Sequence, residues 1–463
     1  MTSSFTVPPL VQSSLADDTL AQLVRSEGRP ITVAYPSVAH DAAKEFAEVL
    51  AAQRITGQVY AAHKATQSQA LVHALAGTVR IDVASRAELH CAIAAGFSPA
   101  HIIATGPKSR LFLQELSKYP DITIVLDSDA ELARLANIPQ ATNPVLLRMS
   151  RSMLNAPGVR KLSRFGMDEK GFMRAVARLE NQTQFTVRGV AFHLDSQSLD
   201  ERAEAVWRGT GQLFMLQRVF PEATVLDIGG GYGAAHGMTT AQLEQFERDL
   251  KTSLDGQRAL TWNRFSYGLT VDPKGVRGSV RGIDAPRGPV GVDRLEELLA
   301  RRRHGSTLAD QLRENLIELW LEPGAAIFHS AGVIAAEIIE VRQVDEAWQV
   351  VVDIHRNQLC FEGNETLHDP VLLSASTGTP TEDTYLLLGN LCAESDVLSY
   401  RMISLPHHPQ AGDVLVWTHT GAYRSHFSAS RAIGHELARQ YVYANGEFTK
   451  EEYDIHTNRT TDR

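Results

Sequence analysis

At 463 residues, 43% hydrophobic and 21% charged, the chain is long enough to bury one large domain and a smaller one and has the balance of an ordinary globular protein. Its net charge of -9 comes from interspersed acids and bases, which leaves no basic footprint for nucleic acid, and no apolar run approaches the ~20 residues of a membrane span. Three cysteines, Cys91, Cys360 and Cys392, form no CxxC pair; this argues against a disulfide framework or a zinc site and, without a leader-like N-terminal pattern, predicts a cytoplasmic protein with no metal.

In chain order, residues 1–37 carry one strand-like run, Pro30-Ile-Thr-Val-Ala-Tyr35. A helix follows over Asp41–Leu50, with Phe46, Val49 and Leu50 on one face and Asp41 suited to cap its start. Eight short apolar runs come next, each trailed by an amphipathic stretch: Gln58–Lys64, Val79–Val83, His101–Ala104, Ile122–Leu126, Val145–Met149, Gly189–His193, Thr224–Ile228 and Ile317–Leu321. Near-continuous hydrophobicity suits parallel strands buried on both faces, and eight such units over 38–330 predict a closed (β/α)₈ TIM barrel in an α/β protein. An insert at about 240–310, including the Gly/Pro/Arg-rich Val271–Pro289, breaks the rhythm and predicts a lid or partner surface. Beyond it, alternation in Val333–Val341, Trp348–Asp353, Thr384–Leu388 and Asp413–Trp417 predicts a separate β-domain, a sandwich or barrel over 331–463, joined by the strand from 1–37.

The ends of the barrel strands collect chemistry-bearing residues. Lys64 closes the first run among small neighbours; burial there would disfavour its ammonium form and make the amine a nucleophile, although a strand-end lysine reaching water is the plainer reading. His193-Leu-Asp-Ser196 follows the sixth run, Gly229-Gly-Gly231 the seventh and Glu322-Pro-Gly324 the eighth. Glycines let backbone amides approach a phosphate, and a glutamate leaving an apolar strand needs a cation or a hydrogen-bond donor. Singly these read as a tight turn, a rim salt bridge and a core histidine. Together they meet the requirements of pyridoxal phosphate: an amine, a flat ring to stack, a phosphate cradle and an acid for the pyridine nitrogen.

With those residues in view, the chain resembles the fold-type III pyridoxal phosphate enzymes, the group of ornithine, arginine and diaminopimelate decarboxylases with an alanine-racemase-like barrel. Tyr60-Ala-Ala-His-Lys-Ala65 is similar to the family's YAVKAN, Asp82-Val-Ala-Ser-Arg-Ala-Glu88 to DVAS-x-x-E, and Ser163-Arg-Phe-Gly-Met167 to SKFG(I/M). Phe192-His-Leu-Asp-Ser-Gln197 resembles FHxGSQ, Asp227-Ile-Gly-Gly-Gly-Tyr-Gly233 GGGFG, and Glu322-Pro-Gly324 EPGR. Gly389-Asn-Leu-Cys-Ala-Glu-Ser-Asp396 resembles GPxCxxxD, and Gly421-Ala-Tyr423 resembles GAY.

The resemblance implies Lys64 as the Schiff-base lysine, His193 as the ring stacked on the cofactor, and Ser196, Gly229, Gly230, Gly231 and Tyr423 as phosphate ligands, with Gly324 beside them. Glu322 would pair with the pyridine nitrogen, and Cys392 of a partner subunit would return a proton to Cα, so that a homodimer shares each site. Asp195, Asp369, Glu394 and Asp396 are the substrate-pocket candidates and hint at a distal cation on an amino-acid substrate.

Three departures stand out. Ala325 replaces the EPGR arginine, and Asp195 stands in place of a glycine. Asp369 and Leu373 of His368-Asp-Pro-Val-Leu-Leu373 stand in place of the RPxLY arginine and tyrosine that hold a distal carboxylate, which argues against diaminopimelate. The activity implied is decarboxylation of an amino acid. Racemisation or other Cα chemistry, and a non-catalytic homologue, remain the alternatives.

Overall fold

The computed structural model of the protein describes residues 7–154, 164–194, 198–234, 240–256, 260–281, 288–345, 347–360, 369–374, 380–424, 427 and 429–451. It forms two compact units: one of Met1–Ala39, Ala234–Gly288 and Phe328–Arg463, the other of His40–Gly233 and Pro289–Ile327.

The second unit is a closed barrel of eight parallel strands. Numbering strands after β1 (Ile31–Ala34) of the other unit, these are β2 (Gly57–Ala62), β3 (Arg80–Val83), β4 (Ile102–Ala104), β5 (Thr123–Leu126), β6 (Val145–Arg148), β7 (Val187–Ala191), β8 (Val225–Asp227) and β9 (Glu318–Leu321). Closure comes from β9, which pairs with both β2 and β8. Each strand coincides with one of the eight apolar runs, and β4, β5, β6 and β8 are buried throughout, the condition that produces continuous rather than alternating hydrophobicity. Tyr60, Ile103, Val125, Leu146, Ala191, Val225 and Trp320 meet in one buried cluster to which every barrel strand except β3 contributes.

Helices around the barrel start on small polar caps. Side-chain oxygens of Ser68, Ser85, Ser109, Ser128, Asp168 and Ser198 each accept a first-turn N–H, so strand-to-helix links satisfy orphan donors close to the strand ends. The helix expected over Asp41–Leu50 instead runs Pro36–Ala52, so Asp41 lies inside it rather than capping it. Proline is suited to open a helix because its missing N–H would have had no partner there.

The first unit holds a nine-stranded sheet. β1 pairs antiparallel with β10 (Gly332–Val344) and parallel with Arg439–Ala444, so the N-terminal strand is part of this sheet. Both faces of β10 are covered: Ile334, Ala336 and Ile338 enter one apolar cluster and Val333 and Ala335 another, as two-residue alternation requires. The expected insert divides. Helix Thr240–Asp255 packs through Phe246 and Leu250 on Tyr267, Leu269 and Val280 within this unit, whereas helices Gly291–Leu299 and Leu308–Glu314 belong to the barrel unit. Among the described residues, no helix is long and apolar enough to cross a membrane.

Candidate active site

The carboxyl ends of the barrel strands bring together Lys64, Asp82, Arg148, His193, Asp227 and Glu322. β2 ends at Ala62, and His63–Ala65 turns off as a short 3₁₀ segment, which leaves the Lys64 side chain 37% exposed with Nζ 4.0 Å from Asp82 Oδ2. The expectation of a lysine desolvated by burial is therefore corrected: what defines its surroundings is a buried carboxylate. Thr105 Oγ1 donates to Asp82 Oδ1 at 2.6 Å, fixing the carboxylate so that its other oxygen faces the amine.

His193 lies just past β7, half-buried, and its Nδ1 accepts the Gly230 N–H at 3.2 Å. Burial, reinforced by the cations Lys64, Arg148 and Arg202, holds the imidazole well below its ordinary range. The ring is thus neutral with its proton on Nε2. The glycines beside it leave no space for side chains: a Cβ on Gly229 would sit 2.7 Å from His193 Nδ1, on Gly230 2.5 Å from the Glu322 carbonyl oxygen, and on Gly231 2.7 Å from Arg202 Nη1.

Two buried carboxyls oppose each other here. Glu322, whose N–H donates to Gly229 O at 3.0 Å, is pushed up to about 7 by burial and by Asp82, against the pull of Lys64 and Arg148. Asp227, at the end of β8, is raised well above the usual carboxylate range by burial and by Glu322. Its Oδ1 accepts the Gly229 N–H at 2.8 Å, while its Oδ2 is buried with no hydrogen-bond partner. Like charges at this depth cannot both persist, so Asp227 holds a proton and Glu322 is the acid that ionises first. Glu88, which accepts the Ala84 N–H at 2.7 Å, is likewise pushed up to about 7 by burial.

Sequence reasoning gave no role to several groups that frame this mouth. Arg202, 1% exposed, donates to Gly230 O at 2.7 Å and Leu194 O at 3.3 Å, tying the glycine turn to the segment after β7. Arg148 reaches Asp127 Oδ1 at 3.3 Å and covers the Phe165 ring at 4.6 Å. Lys108 is fully enclosed, donating to Gly106 O at 2.7 Å and Val125 O at 2.6 Å, 3.6 Å from Glu131. Asp82 and Glu88 were visible as letters of one motif. A lone arginine or lysine in a helix, a loop or at a strand end carried no such signal.

The other unit presents its candidates differently. Cys392 and Glu394 are exposed on the turn between strands Thr384–Leu388 and Val397–Ser404, and the three cysteines form no disulfide. Asp396 is buried: Oδ1 accepts the Arg356 N–H at 2.9 Å and Oδ2 the Leu391 N–H at 2.8 Å. A Cβ on Gly389 would overlap that carboxylate, which is why the turn begins with glycine. Asp369 is held by Arg401 Nη1 at 2.6 Å. Asp369 and Asp396 are thus committed to internal partners, which corrects the expectation that they gather around a substrate cation. Tyr423 has positive φ, 64°, in the loop after Val414–Trp417, and its ring meets Phe427 edge-on at 5.7 Å. Gly324 is buried and accepts the Ile327 N–H at 3.0 Å, and Ala325 opens the following short helix. Asp195 and Ser196, with Ser163 and His368 of the quoted motifs, lie outside the described residues.

Comparison with known proteins converges on the same reading. Residues 39–261 match the family model for the pyridoxal-binding domain of pyridoxal-dependent decarboxylases. An uncharacterised Sinorhizobium fredii protein, y4yA, is 27% identical over 90% of both chains. The diaminopimelate decarboxylase of Bacillus subtilis is 24% identical over 87% of this chain and 83% of its own. In fold, the chain is similar to the arginine decarboxylase of Paramecium bursaria Chlorella virus, with a TM-score of 0.66 and 17% identity over 92% of this chain and 99% of that one.

Proposed function

We propose that this chain is a fold-type III pyridoxal-phosphate-dependent decarboxylase, with pyridoxal phosphate as its cofactor, and that it removes the α-carboxylate of an amino acid other than diaminopimelate. The reading is carried by the grouping at the barrel mouth: an amine beside a buried acid, a neutral ring, a glycine turn without room for Cβ, and two buried carboxyls of which one ionises near neutral pH. The residues fit the cofactor in its amine, ring and acid: Glu322, ionising near neutral pH with a protonated Asp227 beside it, is the carboxyl that would meet a cationic donor. When bound, the cofactor supplies an electron sink for the pair left on Cα as carbon dioxide departs.

The chain's own groups do the rest. Lys64 supplies the amine that would anchor the cofactor, and Asp82, 4.0 Å away, orients it. A neutral His193, pinned by the Gly230 N–H, offers a flat face without adding charge. The Gly229–Gly231 turn, without room for Cβ, would let a phosphate approach the backbone closely, but the Gly229 and Gly230 N–H groups are held by Asp227 and His193, which corrects their expected role as phosphate donors; the ionised Glu322 carboxylate would pair with the pyridine nitrogen. The Cys392 thiol, exposed on its turn, donates the proton to Cα. We assign that thiol to a second copy of the chain, so the working unit is a homodimer in the cytoplasm. Diaminopimelate is disfavoured because Asp369 and Leu373 provide no cation for a distal carboxylate, and Asp369 is itself neutralised by Arg401.

Carbon dioxide release from a panel of amino acids with cofactor present tests the reaction, with mass analysis for the matching amine. A D-amino acid formed without carbon dioxide would replace this reading with racemisation. Sharing of the site is tested by mixing Lys64→Ala and Cys392→Ala chains: activity should return in the heterodimer to a substantial fraction of wild type, and no return counts against a composite site.

A further inference from the structure

Three cations bear on His193: Lys64, Arg148 and Arg202. Lys64 lies beside Asp82 and Arg148 reaches Asp127, but among the described residues no carboxylate pairs with Arg202. Arg202 is 1% exposed and donates to two neutral acceptors, Gly230 O at 2.7 Å and Leu194 O at 3.3 Å. A buried guanidinium keeps its charge at any ordinary pH and is costly without an anion nearby. It is also set directly behind the glycine turn, since a Cβ on Gly231 would come within 2.7 Å of its Nη1. In a trans peptide, as this one is, the C=O and the following N–H point in opposite directions. Because Gly230 O faces Arg202, the Gly231 N–H faces away from it. Gly231 is exposed, and among the described residues no acceptor takes that N–H, whereas Gly229 and Gly230 donate to Asp227 and His193.

We propose that Arg202 is a positioning residue for the cofactor's phosphate: it aims the Gly231 N–H at that group and places a cation behind the turn. The inference rests on the cofactor part of the proposed function and not on decarboxylation. Arg202 does not touch the phosphate. The peptide between them has its carbonyl toward the guanidinium and its N–H toward the anion, so the hydrogen bond at each end strengthens the other. The strand end that bears Glu322 offers no cation of its own, since Ala325 follows Gly324, and Arg202 supplies one from the helix Leu199–Gln217 instead. Its buried charge, costly in the empty protein, is offset when an anion arrives.

Titration of the full-length apoprotein with pyridoxal phosphate and with pyridoxal, which lacks the phosphate, tests it. Absorbance follows binding, and borohydride fixation with mass analysis confirms attachment at Lys64. Arg202→Gln removes the charge and should weaken pyridoxal phosphate by about tenfold or more while leaving pyridoxal nearly unchanged. Arg202→Lys keeps the charge but gives up the planar fork, so the preference for the phosphate-bearing form should fall by only about threefold. Equal losses for both aldehydes would make Arg202 merely structural and overturn the proposal, as would an unchanged preference in a folded Arg202→Gln. Thermal melting shows which variants fold, and if Arg202→Gln does not, an unchanged preference in Arg202→Lys overturns it. If wild type fixes neither aldehyde on Lys64, the cofactor reading falls and this inference with it. Pyridoxal phosphate fixed on Lys64 without carbon dioxide release from any amino acid would remove the decarboxylase reading and leave this inference standing on the measured preference.

Discussion

The barrel mouth and the Gly389–Asp396 turn hold their candidate groups by opposite means. At the mouth, Asp82, Asp227 and Glu322 are buried beside one another, and two of the three are pushed up by burial and mutual repulsion. On the turn, the thiol and Glu394 are exposed, and a single buried carboxylate, Asp396, organises the backbone that presents them. The first arrangement keeps reactive groups at the cost of folding stability; the second keeps geometry and leaves reactivity to whatever the turn meets. Mutations should therefore separate into electrostatic losses at the mouth and positional losses on the turn.

The largest effect is expected from Lys64→Ala, which removes the amine outright and should lower decarboxylation by about 10³-fold or more, measured as carbon dioxide release. Glu322→Gln keeps the shape but removes the charge, with an expected loss on the order of 10²-fold in kcat and less change in KM. A mutant with normal kcat would show that the buried pair is only structural.

The same acids predict a pH dependence for the cofactor-free protein. Glu322 and Glu88 are raised to about 7 in the folded state, above the ordinary value of 4.5, so the folded protein holds protons that the unfolded chain releases between those values. Their contribution is fully present below about pH 4.5 and is lost as pH rises through 7. Denaturant melts of the apoprotein should show stability falling across that window, and Glu322→Gln should flatten part of the slope. A stability that rises from pH 4.5 to 7 would contradict the burial of these groups.

How much was legible from sequence differs between the same two regions. All eight barrel strands follow from apolar runs, because burial on both faces is a local property of the letters. Glu322 and the glycines were found for the same reason: each interrupts an apolar run at its end. The surroundings of Lys64 were not legible, since whether a strand stops at Ala62 or Lys64 decides its exposure and no letter marks that step. Arg202, Arg148 and Lys108 were missed because their partners, Gly230 O, Asp127 and Val125 O, lie elsewhere in the chain and only folding brings them together. Asp396 on the turn and Asp369 elsewhere in the unit looked like pocket walls; the commitment of Asp396 to backbone N–H groups and of Asp369 to Arg401 is a tertiary fact.

That commitment yields the smallest and most discriminating effect. Asp396→Asn retains one acceptor oxygen and turns a donor toward an N–H that needs an acceptor, either at Leu391 or at Arg356. Losing one charge-assisted bond at a buried site should cost about 1–3 kcal/mol of stability, read in a denaturant melt. If Asp396 acted on substrate, KM would rise while the thiol kept its reactivity. If it acts through the turn, kcat should fall a few-fold, KM should hold, and the rate at which Cys392 reacts with a thiol reagent should change, while Glu394→Gln should leave all three as they were. The pattern across those readouts, rather than the size of any one, separates a group that recognises substrate from one that holds a thiol in place.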